Sequence, residues 1–172
     1  MTLATKLGKS FEAVKENIKT RTIHIDLEGV KFDLKVRVPL KKEIEEITQR
    51  IVAPPKEKVD AIFNDLAAPI LKTLDEGGEG FEKALNAENN MITRTEDDLI
   101  VQGNSVRNIA QFSAIERQRV EEYFALLVSE TGEAVNETYD QIVAEFPEFV
   151  VKELTQAIDS AIKPDYKTVK KN

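Results

Sequence analysis

Residues 21–39, RTIHIDLEGVKFDLKVRVP, alternate apolar and polar side chains twice in succession. Ile23, Ile25 and Leu27 share one parity, and Phe32, Leu34, Val36 and Val38 share another. Such period-two alternation marks a half-buried strand. Glu28-Gly29 supplies a two-residue turn between the runs, and Pro39, which has no N–H to donate, closes the second strand. The stretch therefore predicts one β-hairpin. A two-stranded ribbon alone is marginal in water, so its apolar face needs a cover, either from this chain's helices or from another protein.

Outward from the hairpin the period changes to that of helices. Leu3, Leu7, Phe11, Val14 and Ile18 predict an amphipathic helix before it, and Ile44, Ile47 and Ile51 predict one after it that stops at Pro54-Pro55. Val59, Ile62, Phe63, Leu66, Ile70 and Leu74 continue the pattern, with Pro69 set to kink it. Asp75-Glu76-Gly77-Gly78-Glu79-Gly80 reads as a breaker and hinge. A short helix through Phe81 and Leu85 follows, then a polar loop from Asn86 to Thr95; Leu99-Ile100-Val101 fits helix or strand equally. Ser113 stands three residues before Glu116, the spacing of a capping box, and predicts a helix through Val120, Tyr123, Phe124 and Leu127. Thr131-Gly132 breaks it. Two further helices follow, one on Val135, Tyr139, Ile142, Val143 and Phe146, the other opened by Pro147 and ended by Pro164.

The resulting expectation is a mainly α protein with one β-hairpin (α+β), a helical bundle packed with an N-terminal α-ββ-α unit. The predicted division is 1–76 for that unit and its following helices, 81–163 for a C-terminal helical bundle, and 164–172 for a basic tail, with a single shared core left open.

Composition narrows the function. Of 172 residues, 41% are hydrophobic and 32% charged, enough apolar material for a core and too much for wholesale disorder. Cysteine is absent, which removes disulfides and thiolate chemistry. The N-terminus is charged throughout and reads as no signal peptide, and no apolar run approaches the roughly 18 residues of a membrane span. Net charge is −7. Residues 51–160 hold 22 acidic and 9 basic groups, net −13, while residues 1–50 and 161–172 are each +3. Such a body repels phosphate backbones and steers toward basic partners. An acidic mimic of nucleic acid is one reading that this charge permits.

Motifs for chemistry are missing. His24, the only histidine, lies on a strand with its side chain opposite Ile23 and Ile25, as an ordinary exposed residue would. One His and no Cys cannot make the usual zinc set. The acids at Glu43, Glu45 and Glu46, at Glu96-Asp97-Asp98 and at Glu121-Glu122 read as solvated faces or helix caps. The 75–80 loop lacks the ligand spacing of a calcium loop. There is neither a P-loop nor a nucleophile elbow. The expectation is a protein without catalytic, cofactor-binding or metal-binding residues that acts by binding. Ile23, Ile25, Phe32, Leu34 and Val36 of the hairpin, with Phe112, Tyr123, Phe124 and Leu127 of the later helix, are the candidate partner-binding residues.

Two segments carry a resemblance. GVKFDLKVRVPLKKEIEEI at 29–47 joins the hairpin to a Glu-rich helix, and LIVQGNSVRNIAQFSAIERQRVEEYFALLV at 99–128 leads from a polar turn into a helix. In these stretches, as in size and acidity, the chain resembles the tail assembly chaperones of siphophages. The resemblance implies a small, mainly helical, non-enzymatic protein of the host cytoplasm, with no cofactor, that binds the tape-measure protein and helps recruit tail-tube subunits. Charge and hydropathy, for their part, lead to an expectation of no nucleic-acid and no membrane partner, and self-association is left open. The alternative is a structural component of a phage or virus particle that buries the same apolar faces permanently.

Overall fold

The computed structural model describes residue 8 and residues 19–89, 91–129 and 136–163. The described elements are β1 (Thr20–Leu27), β2 (Val30–Arg37), α1 (Lys41–Val52), α2 (Lys56–Asn89), β3 (Ile92–Arg94), β4 (Leu99–Val101), β5 (Asn104–Ser105), α3 (Val106–Phe124), β6 (Leu127–Val128), α4 (Tyr139–Glu145) and α5 (Glu148–Ile162). The chain divides into two compact units. One takes the described residues through Thr48 together with those from Arg119 onward, and the other takes Gln49–Gln118. The boundaries fall inside α1 and α3.

The first unit is built on the hairpin. β1 and β2 pair antiparallel from Thr20↔Arg37 to Leu27↔Val30. Glu28 and Gly29 both adopt positive φ (53° and 87°), the turn that matches the twist of paired strands, and the Gly29 N–H donates to Asp26 Oδ1 at 2.9 Å. Opposite partners point to one face, so the register collects Ile23, Ile25, Leu27, Phe32, Leu34 and Val36 on one side. Thr22, His24, Asp26, Lys31, Asp33 and Lys35 take the other. β6 adds a third antiparallel strand to the far edge of β2.

Helix α5 packs on β1 and β2. Its inner stripe of Val150, Val151, Leu154, Ile158, Ala161 and Ile162 is buried, and each large aliphatic side chain so placed is worth about 1.5–3 kcal/mol relative to exposure. Arg21, on the apolar-face parity, donates from Nη1 to the Ala161 carbonyl at 2.6 Å. A cation is thereby set against the carbonyl end of α5, where the helix dipole favours it. At the same end of the hairpin, Arg37 forms a bidentate pair with Glu43 in the first turn of α1 (2.6 and 2.9 Å). The hydrogen bond to Glu43 raises the Arg37 pKa against the opposing pull of desolvation.

The second unit packs α2 against α3 and a small meander, β3-β4-β5. Val59, Ile62, Ala110 and Ala114 form one buried cluster with Phe63 against it. Ala67, Leu99 and Val106 form another, flanked by Phe63, Ile70, Leu71, Ile92 and Val101. The β4–β5 turn repeats the hairpin's chemistry, with Gln102 and Gly103 both at positive φ (49° and 78°).

The expected fold class is corrected on this evidence. The protein is mixed α and β with two three-stranded antiparallel sheets, rather than mainly α with one hairpin, and its described architecture begins β1-β2-α1 rather than as an α-ββ-α unit. The predicted helix on Leu3–Ile18, the Thr131-Gly132 break, Val135 and the 164–172 tail lie outside the described residues. The helix predicted to run through Leu127 ends at Phe124, because Leu127 and Val128 pair with Val36 and Lys35 instead. Ser113 is an interior residue of α3; the helix begins seven residues earlier, at Val106. The predicted polar loop at 86–95 is the end of α2 followed by β3, and Leu99–Val101 is strand. The glycine-rich stretch lies inside the second unit. There α2 continues past it with a break at Gly78 (φ 72°, ψ 176°), and Pro69 sits within the helix.

Candidate functional site

The hairpin candidates lie on the face that α5 packs against. Val36 is fully buried and Ile25 nearly so, while Ile23, Phe32 and Leu34 are half-buried. Phe124 is 4% exposed. Tyr123 is half-buried and donates its hydroxyl to Asp159 Oδ1 at 2.8 Å, and Leu127 is half-buried in β6. Phe112 differs from all of these: it is 69% exposed, in the second unit. Eight of the nine residues thus lie in the first unit, buried or half-buried, and Phe112 lies in the second. Alternation and helical period show which side chains want burial, and they are silent on which of them this chain's own α5 reaches first.

Exposed apolar side chains appear elsewhere. Of the eight phenylalanines in the sequence, Phe81, Phe112, Phe146 and Phe149 stand exposed, with Ile109 and Val143 beside two of them in sequence. Ile109 and Phe112 are one turn apart on α3. Phe146 and Phe149 flank Pro147 where α4 gives way to α5. α4 opens on a capping box between Thr138 and Gln141 and ends at Phe146 in extended backbone, and Pro147 stands at the N-cap of α5. Every residue from Val143 to Phe149 is exposed, between buried Ile142 and buried Val150. The sequence signal was present as two Phe around a Pro. Counting Phe146 into the helical stripe of Ile142 hid it, because the chain changes direction at Pro147.

A third apolar surface lies along α2. Pro69, Ile70, Thr73 and Leu74 before the Gly78 break, Phe81 and Leu85 after it, and Ile92 of β3 line a groove of about 360 Å3. Gly77 makes this packing possible, since a Cβ there would stand 2.5 Å from the Phe81 ring. Arg94 of β3 reaches acids on both sides of the break, Asp75 at 3.2 Å and Glu82 at 3.1 Å. Asn86 holds the same strand by two hydrogen bonds to the Ile92 backbone, 2.7 and 2.8 Å.

The polar clusters have structural work. Asp98 accepts from the Ser105 hydroxyl (2.5 Å) and from the backbone N–H groups of Leu99 (2.8 Å) and Arg107 (2.9 Å). Ser105 in turn accepts from the Asn108 N–H at 3.0 Å. Together they satisfy two of the open N–H groups of α3, those of Arg107 and Asn108. Desolvation pushes the Asp98 carboxyl up, but these hydrogen bonds and the Arg107 charge outweigh it and hold the group below the usual carboxylate range. Arg107 also pairs with Asp60 at 2.8 Å and lies 4.3 Å over the Phe63 ring. His24 sits in water on the charged face of the first sheet, 2.6 Å from Asp33 across the hairpin. In the first unit Arg119, Tyr123, Thr155, Gln156, Asp159 and Lys163 line a polar cleft of about 430 Å3. Its acid is engaged by the Tyr123 hydroxyl and by Lys163.

Among the described residues no group of three or more His, Cys, Asp or Glu is arranged to hold a metal ion, and no helix is long and apolar enough to cross a membrane. What the arrangement offers is apolar contact area set in charged surroundings. No family model matches the chain, and neither the curated proteins nor the solved structures give a match.

Proposed function

We propose that this protein is a non-enzymatic assembly chaperone of the phage-tail type. It holds an apolar helical polypeptide, the tape-measure protein, and brings tail-tube subunits to it in the host cytoplasm. The observation that carries this reading is the exposure of Phe112 (69%) and Phe149 (50%), with Phe81 and Phe146 partly exposed. Large apolar side chains grouped on a surface mark interaction sites, and each exposed ring is an anchor that a client can cover. A holdase needs such area without tight shape-matching, and needs an envelope that stays soluble; the net charge of −7 supplies the second.

The test is aggregation of purified tape-measure fragments followed by light scattering. The unaltered chain is expected to suppress scattering near equimolar ratio. Phe112→Ser combined with Phe149→Ser, with circular dichroism and melting unchanged, is expected to lose most of that suppression. Equal suppression by this variant counts against the reading. Recovery of the protein at fixed copy number in finished particles turns it toward a structural component instead.

A further inference from the structure

We propose that the corner Val143–Phe149 is a docking point for a partner polypeptide that presents an apolar stripe flanked by lysine or arginine. This rests on the binding role proposed above and narrows it to one surface and one partner chemistry. The seven residues VAEFPEF are all exposed, and three of them, Val143, Phe146 and Phe149, are large and apolar. Their frame is fixed. Ile142 on one side and Val150 and Val151 on the other are buried. The Phe146 N–H donates to the Ile142 carbonyl at 3.0 Å, and the Pro147 carbonyl accepts from Val150 at 3.0 Å and Val151 at 3.2 Å. A backbone held this way loses little freedom on binding, which lowers the cost of a contact there.

Charge selects the occupant. Glu145 and Glu148 lie within the corner, and no basic residue does. Glu153, also exposed, follows one turn along α5 with Lys152 beside it. Two copies of the chain meeting at this corner would oppose Glu145 and Glu148 to their own counterparts, and like charges across an interface reject a partner. An anionic surface is rejected for the same reason. A stripe of leucines with lysines on its flanks covers the rings and meets the glutamates. The turn from Ile109 to Phe112 contains no acid and so lacks this preference.

The experiment titrates the 15N-labelled full chain with two synthetic helical peptides that share one leucine stripe, one flanked by lysines and the other by glutamates. The lysine peptide is expected to shift the amides of residues 143–149 and to bind about tenfold tighter than the glutamate peptide at low salt, the gap closing near 1 M salt. Phe146→Ser with Phe149→Ser is expected to weaken it about tenfold, and Glu145→Lys with Glu148→Lys to reverse the preference. Equal affinity for the two peptides overturns the proposal, as does the absence of any shift at the corner. Shifts confined to Ile109–Phe112 or to the α2 groove overturn it while leaving the binding role standing. Shifts at the corner on concentrating the protein alone assign it to a second copy and overturn it too.

Discussion

Asp98 caps a helix to which it does not belong. Its carboxylate lies seven residues before Ser105 in sequence, and the β4–β5 turn brings it back onto the first turn of α3. Asp98→Ala removes three hydrogen bonds at once and leaves the Arg107 N–H in the first turn of α3 without that acceptor. A loss of about 1–2 kcal/mol in urea unfolding is expected. The pH dependence has a definite sign. The folded pKa is depressed, so the stabilisation is fully present above the unfolded value of about 4 and is lost as pH falls through the folded value. The gap between the unaltered chain and Asp98→Asn, measured by unfolding from pH 7 downward, should hold above that value and shrink below it. The acids at 96–98 were legible in sequence as a cap. Which helix they would cap was not, because the partner N–H groups become neighbours only once the meander forms.

At the scale of elements, α5 and α2 make contrasting predictions. Ile158 is fully buried in the stripe that α5 turns inward, so Ile158→Ala should cost about 2–5 kcal/mol through lost transfer energy and a cavity. Phe149→Ser on the same helix should cost about 1 kcal/mol or less, since half of that residue stands in water. Both are read from denaturant midpoints. In α2 the break at Gly78 uses backbone that residues with a Cβ rarely adopt, and Gly78→Ala should cost about 1–3 kcal/mol. Gly77→Ala acts differently: its methyl would meet the Phe81 ring. The expected outcome is a ring driven out of the groove, visible as changed nuclear Overhauser contacts between Phe81 and Leu74. The glycine cluster was legible as an interruption. That it bends one helix, clamped by Arg94 on both sides, depends on a strand packed against it.

For the whole molecule, the balance of exposed rings against charge sets solution behaviour. With net charge −7 near neutral pH, copies repel one another and the phenylalanines stay accessible to other chains. As pH falls toward the isoelectric point near 5.0 the net charge shrinks and that repulsion fades. Light scattering at fixed concentration should report self-association rising over this range, and less of it for Phe112→Ser with Phe149→Ser. An unchanged hydrodynamic radius across the range would show that the rings do not drive contact between copies.

By itself the sequence determined the hairpin, its turn at Glu28-Gly29 and its two-faced character, because period-two alternation and a glycine turn are local properties. It determined equally the end of α1 before Pro54-Pro55 and the inward stripe of α5, where helical spacing runs unbroken. Only the tertiary structure decided that Leu127 and Val128 leave the helical pattern to pair with β2, and that three- and two-residue strands around Gln102-Gly103 make a second sheet. Segments so short show no period, and their conformation comes from long-range partners. The same holds for the surfaces. Period shows that a phenylalanine belongs to an apolar stripe, but whether that stripe meets the chain's own core or water depends on where α5 packs and on the corner at Pro147.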